Sequence, residues 1–257
     1  MNFDKEAAFA ERIARKSGKL LLEYFEQEKE LVRHAKGVND YATEADLAAE
    51  KFIIDAIKKR FPGHSVISEE MGQRDNGSEF KWIIDPLDGT RNFASRIPVW
   101  GTMITLQHRN EIALSVIFLP VTGGMCVAMK GKGTLLNGKK CSVSGAPNLV
   151  YLCSMKKYNE PGVKIKCQKL LDEFHGRVCM INCVGAGAVL TASGQMDGVI
   201  GIGVGDKNLW DFAPAYLAIK EAGGLVTDLN GNPWTASSKD FIAASPKLHS
   251  KIMHILK

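Results

Sequence analysis

In residues 82–93, WIIDPLDGTRNF, an apolar run delivers two acids three positions apart, Asp85 and Asp88, with Gly89 and Thr90 directly after them. Carboxylates around such a turn can hold a hard divalent cation, which prefers carboxylate, carbonyl and water oxygens. Pro, Asp and Gly are also what ordinary turns use, so the segment alone reads first as a structural turn and second as a metal site. The wider set of acids raises the second reading. Asp46 sits at a predicted helix start, Glu69 after one predicted strand, Asp85 and Asp88 after the next, and Asp211 at the start of a late helix. Two cations in such a set can clamp the attacking and leaving oxygens of a phosphate ester, whereas four or five converging carboxylates without cations repel one another. Periodicity does not establish that they converge.

The elements that must position these acids can be read from pattern. Residues 3–27 carry Phe3, Phe9, Ile13, Leu20, Leu21, Tyr24 and Phe25 among charges, which predicts a long helix with one face on a core. Thr43 followed by Asp46 predicts a capping box with Asp in place of Glu, and Leu47, Ile54 and Phe61 then recur up to the stop at Pro62 and Gly63. HSVIS ends in Glu69 and Glu70, and KWIID ends in Asp85, so two predicted strands deliver acids at their C-terminal ends. Val99 to about Leu136 alternates apolar runs with tight polar breaks, the pattern of an antiparallel meander. Beyond Pro147 the order becomes strand VYLCSM, helix 162–175, strand RVCMIN, a small-residue helix from Gly185, strand DGVIGI, helix Asp211–Ala222, strands LVTDLNG and FIAAS, and a last helix. The first half thus reads as α+β and the second as α/β, with a soft boundary between residues 1–146 and 147–257.

Composition narrows the class. With 257 residues, 45% apolar and 24% charged, the chain can bury a large core. No stretch approaches the roughly 20 apolar residues of a membrane span, and the N-terminus reads as an amphipathic helix and not a signal peptide, so a cytoplasmic protein is expected. The charge of +5 is spread thinly, which suits anionic small substrates and gives no nucleic-acid footprint. Six cysteines form no CxxC pair and read as reduced, mostly buried thiols.

Several familiar chemistries fail on residues. The haloacid dehalogenase phosphatases need a nucleophilic Asp two residues before the second Asp, where this chain has Pro86. GTLLNGKK, residues 133–140, nearly spells a P-loop but ends in Lys140 where Ser or Thr should hold magnesium. No Cys is followed six residues later by Arg, and no GxSxG elbow occurs.

KGVNDYATEAD, SEE, WIIDPLDGTRNF, GKGTLLNG and WDFAPAYLAIKEAGG, in that order over nearly the whole chain, resemble the inositol monophosphatase family of magnesium-dependent, lithium-sensitive phosphomonoesterases, most closely its bacterial members. The resemblance implies a layered αβαβα sugar-phosphatase fold, usually a homodimer, with two or three Mg2+ ions per site. It makes Glu69, Asp85, the Leu87 carbonyl, Asp88 and Asp211 the metal ligands. Asp46 and Thr90 match the pair that activates the attacking water, with Glu69 helping through a metal-bound water. Amides of Gly89 and Thr90 are positioned to hold phosphate oxygens, and those of Gly185 and Ala186 to meet the polar end of the substrate, alongside Asp88 and Asp211. The implied reaction is in-line attack of water on phosphorus without a phosphoenzyme.

Substrate choice is where the pattern departs. Inositol-hydrolysing members commonly carry a Glu seven residues before the last metal-binding Asp; here that position is Val204, in a segment about three residues longer, with Asp206 and Lys207 nearby. Arg91 stands where inositol enzymes often have Thr, and reads as a surface side chain or as a second anion contact. Inositol 1-phosphate is the leading substrate by resemblance, with histidinol phosphate, fructose 1,6-bisphosphate and 3′-phosphoadenosine phosphates as alternatives. A regulatory protein binding RNA or the transcription machinery is the alternative of another class.

Overall fold

The computed structural model of the chain describes residues 2–27, 31–37, 40–145, 149–153, 160–204 and 209–257. Helix α1 (Asp4–Phe25) is followed by the hairpin β1 (Arg33–Gly37) and β2 (Asp40–Thr43), and then by α2 (Glu44–Arg60). Next come β3 (Ser65–Ser68), β4 (Gly72–Arg74), β5 (Phe80–Asp88) and the short α3 (Thr90–Ala94). The meander consists of β6 (Gly101–His108), β7 (Glu111–Leu119), β8 (Gly124–Met129), β9 (Gly133–Leu136) and β10 (Lys139–Cys141). The second half holds β11 (Val150–Cys153), α4 (Pro161–Phe174), β12 (Val178–Cys179), α5 (Val184–Ala192), β13 (Gly198–Gly201) and α6 (Leu209–Glu221). It ends with β14 (Leu225–Thr227), β15 (Phe241–Ala244) and α7 (Pro246–Leu256). The proposed boundary at residues 146–147 lies outside the described residues.

The strands form an eight-stranded sheet in the order β10-β9-β8-β7-β6-β5-β3-β4 and a five-stranded sheet in the order β12-β11-β13-β15-β14. Alternation along the strands decides what packs where. On β5, Trp82 and Ile84 join α1 and α2 residues such as Phe9, Ile13 and Ile53 in one core, while Ile83 faces a second core with Val189, Phe212 and Leu217 of α5 and α6. On the small sheet, Val199, Phe241 and Ala243 belong to that same second core, while Ile200 and Ile242 face Leu170, Phe174 and Ile252 of α4 and α7. Helices α5 and α6 are therefore the middle layer between two sheets, each covered again on its outer side. This is the αβαβα arrangement, and the central strands of both sheets are buried on both faces.

Two local readings are corrected. Leu47 does not share a buried stripe with Ile54; it is 39% exposed, and α2 instead turns Ala45, Asp46, Ala49, Glu50 and Ile53 inward. The RVCMIN strand shrinks to Val178–Cys179, an edge strand paired in parallel with β11, and Met180 is exposed. GTLLNGKK is the β9–β10 hairpin, whose turn residues Asn137 and Gly138 both have positive φ, 50° and 78°, as a two-residue Asn-Gly turn requires.

The small residues of α5 have a packing cause. A Cβ at Gly187 would overlap the Tyr151 ring, whose hydroxyl accepts the Cys183 N–H at 3.2 Å and so fixes the start of the helix. Gly187→Ala is expected to destabilise the protein by about 1–3 kcal/mol, the usual cost of overpacking a core. Chemical denaturation checks this, and an unchanged midpoint would refute the close-approach account.

Candidate metal centre and active site

On a regular strand, residues three apart point to opposite faces. The β5–β6 register is irregular between Asp85 and Asp88, and this break lets both carboxylates serve one site. Leu87 N–H donates to Asp85 Oδ1 at 3.0 Å, and the Thr102 hydroxyl donates to Pro86 O at 2.9 Å, so the irregular segment is held from both sides. Gly89 then takes φ 90°, a left-handed conformation that opens α3. From the other half of the chain, α6 brings Asp211 in its first turn. Oxygens of Asp85, Asp88 and Asp211 all lie within 4.8 Å of one another.

Asp85 is 1% exposed and Asp88 7%. Burial pushes the Asp85 carboxyl well above the ordinary carboxylate range, and the neighbouring Glu69, Asp88 and Asp211 push it further. Burial also raises Asp88, to about 6, against the opposing effect of the Cys183 thiol and the Gly185 and Val184 amides. An all-oxygen donor set that repels itself fits a hard divalent cation such as magnesium.

Asp46 and Thr90 meet beside this cluster. The Thr43 N–H and hydroxyl donate to Asp46 Oδ2 at 2.8 and 2.5 Å, completing the capping box read from sequence. The Thr90 hydroxyl lies 2.9 Å from Asp46 Oδ1 and 3.0 Å from the Leu87 carbonyl, so its single proton is shared between an acid and a candidate ligand. Asp46 is fully buried, and burial raises it to about 6 despite the donors from Thr43 and Thr90.

Other sequence-predicted residues are placed differently. The Glu69 carboxylate lies near enough to raise Asp85, Asp46 and Asp88, but it pairs with Lys36 Nζ at 2.8 Å and is not among the three clustered ligands. The Gly185 N–H donates to Asp88 Oδ2 at 2.6 Å instead of facing an open cradle. One amide assigned to substrate is thus engaged in orienting a ligand, because α5 begins directly against Asp88. Gly185 is needed there, since a Cβ would come within 2.9 Å of Asp88 Oδ2. Val204 is buried in the middle core and Arg91 is exposed, while Asp206 and Lys207 lie outside the described residues.

Sequence reasoning missed Lys36, Cys183 and Glu70. Lys36 opens the KGVNDYATEAD segment and bridges Glu69 and Glu70, at 2.8 and 2.6 Å. Burial acts to lower its pKa, but the two acids outweigh it and raise the ammonium above its usual value. The Cys183 thiol donates to Asp88 Oδ2 at 3.0 Å, a contact between residues 95 apart that no local pattern encodes.

Among known proteins, the sequence model of the Inositol monophosphatase family matches residues 2–257. The Nus factor SuhB of Escherichia coli K12 is 31% identical over 245 residues, 93% of this chain and 91% of that protein. Inositol-1-monophosphatase ImpA of Mycolicibacterium smegmatis is 33% identical over 227 residues, 85% of this chain and 81% of that protein. The crystal structure of extragenic suppressor protein suhB from Bartonella henselae superposes with a TM-score of 0.88 at 27% identity, over 97% of each chain. No helix among the described residues is long and apolar enough to cross a membrane. With a family match over essentially its whole length and the acid cluster assembled from both halves, the chain belongs to the inositol monophosphatase family.

Proposed function

We propose that this protein is a magnesium-dependent phosphomonoesterase that hydrolyses a small phosphorylated polyol, with inositol 1-phosphate the leading substrate. The observation that carries this reading is the buried Asp85, Asp88 and Asp211 cluster beside the Asp46–Thr90 pair. Asp85, Asp88, Asp211, the Leu87 carbonyl and Glu69 would hold two or three Mg2+ ions. Bound magnesium supplies charge neutralisation at the phosphate and makes water a stronger acid. The chain's own residues do the rest. Thr90 and Asp46 orient the attacking water, and Asp46 takes its proton, a task suited to a carboxyl raised to about 6. The amides of Gly89 and Thr90 hold phosphate oxygens. Asp88, with Val184, Gly185 and Cys183 donating to it, is held in one orientation.

Engagement of the Gly185 amide and the core position of Val204 leave the polyol end of the site defined differently from the inositol pattern. Histidinol phosphate, fructose 1,6-bisphosphate and 3′-phosphoadenosine phosphate are therefore the alternatives. Relatives named Nus factor SuhB favour a second reading, a regulatory protein of RNA or the transcription machinery that retains the fold, and they weaken the charge-based argument against a nucleic-acid partner. A cytoplasmic homodimer belongs to the first reading. A phosphate-release screen over these substrates, with and without magnesium, separates the two: turnover supports the enzyme, and salt-sensitive RNA binding without turnover supports the regulator.

Asp88→Asn is expected to lower turnover at least about 100-fold, on the scale of several kcal/mol of lost transition-state stabilisation. A purified variant with wild-type turnover would remove Asp88 from the site. A second expectation concerns stability without metal. Because the folded-state pKa of Asp85 is raised, its protonated form stabilises the fold at low pH, and that contribution is lost as pH rises through the folded value. In chelator-treated protein at pH 7.5, Asp85→Asn should therefore raise Tm, by about 2–4 °C for each kcal/mol of relieved repulsion. The gain should shrink on acidification, and excess magnesium should reverse the order by stabilising only the wild type. A variant that melts below wild type in chelator at pH 7.5 would contradict the electrostatic account.

A further inference from the structure

Glu69, Glu70 and Met71 form the tip of the β3–β4 hairpin, between the paired residues Ser68 and Gly72. The tip is held from below by a residue with no role in the reading above. Glu50 Oε1 accepts the Glu70 N–H at 3.0 Å and the Met71 N–H at 3.2 Å. Glu50 is fully buried, and among the described residues its other oxygen, Oε2, has no hydrogen-bond partner. A buried carboxyl group with one oxygen unpartnered is a cost to the fold, so packing stability alone does not account for it. Its place on α2 does. Glu50 lies four residues after Asp46, one helical turn along the same face, so one rigid element carries both the acid beside Thr90 and the support of the Glu69 tip.

We infer that Glu50 is a positioning residue that fixes the direction of Glu69 through the amides of the hairpin tip, and so sets the metal affinity of the site. This rests on the magnesium-binding reading proposed above. From the outside, Lys36 ties the Glu69 and Glu70 side chains together; from the inside, Glu50 ties down the backbone that bears them. Without Glu50, the backbone hydrogen bond left to the tip among the described residues is that of Glu69 N–H to Ile84 O, at 3.3 Å.

The test uses Glu50→Ala, Glu50→Asp and Glu50→Gln in the full chain. Asp keeps a carboxyl group but is too short to reach both amides, while Gln keeps a carbonyl acceptor at the same reach. Magnesium titration by calorimetry should give about 10-fold weaker binding for Ala and Asp, the low end of what loss of a support outside the ligand shell costs, with Gln within about 3-fold of wild type. In chelator-treated protein, hydrogen exchange at the Glu70 and Met71 amides should accelerate in Ala and Asp and not in Gln. Should Ala fail to fold, Asp carries the test. Wild-type affinity and unchanged amide exchange in Asp would overturn the inference, as would a lower Tm with metal affinity intact, the mark of a merely structural residue. A wild-type protein that takes up no magnesium overturns the proposed function instead, and the exchange measurement on chelator-treated variants still decides the clamp.

Discussion

The repulsion among Asp85, Asp88 and Asp211 is the interaction around which the rest of this structure is arranged. Their oxygens are held within 4.8 Å of one another, with Asp85 and Asp88 buried and Asp211 half-buried, and the hydrogen bonds that Asp85 and Asp88 accept offset only part of the repulsion. What holds it is the burial of the elements that bear it. Strand β5 has Trp82 and Ile84 locked into one core and Ile83 into another, and α6 places Phe212, Ala213 and Leu217 between the two sheets directly after Asp211. Two elements pinned by apolar burial can be forced to present like charges to each other. The N-terminal position of Asp211 on α6 also lets the helix dipole offset part of the cost.

Much of this was legible in sequence because it is written in local chemistry. The acids at strand ends, the Thr43–Asp46 capping box and the meander all rest on spacing within a few residues, and the structure has them where spacing places them. The misreadings share a different cause. Leu47 looked like a core residue by its seven-residue spacing, but α2 is rotated to bury Asp46 and Glu50. An amphipathic reading ranks apolar residues inward and has no means to rank a buried acid above a leucine. The Lys36–Glu69 pair and the Cys183–Asp88 contact join residues 33 and 95 positions apart, and only the folded arrangement defines them.

The sequence GAGA in α5 illustrates how one composition serves two demands. Gly187 is small because the Tyr151 ring lies against it, and Gly185 is small because Asp88 approaches its backbone. Both are packing constraints, yet the second shapes the site, since close approach is what lets the Gly185 amide reach Asp88 Oδ2. A small-residue helix start is therefore consistent either with a substrate cradle or with support for a ligand. Which one applies depends on where the nearest carboxylate lies in three dimensions.

The electrostatic demand within the site is uneven. Asp46 receives donors from Thr43 and Thr90, and Asp88 from Cys183, Val184 and Gly185; each rises only to about 6 although deeply buried. Asp85 has the Leu87 amide, and its closest other neighbours, Glu69, Asp88 and Asp211, are acids that raise it further. Hydrogen bonds from the fold can lower the cost of burying a carboxylate, but they are supplied to Asp46 and Asp88 more fully than to Asp85. The greatest need for added positive charge therefore lies at Asp85, between the carboxylate delivered by β5 and the one delivered by α6. That is the position where a cation would join the two halves of the chain, which ties folding of the layered core to the electrostatics of the site.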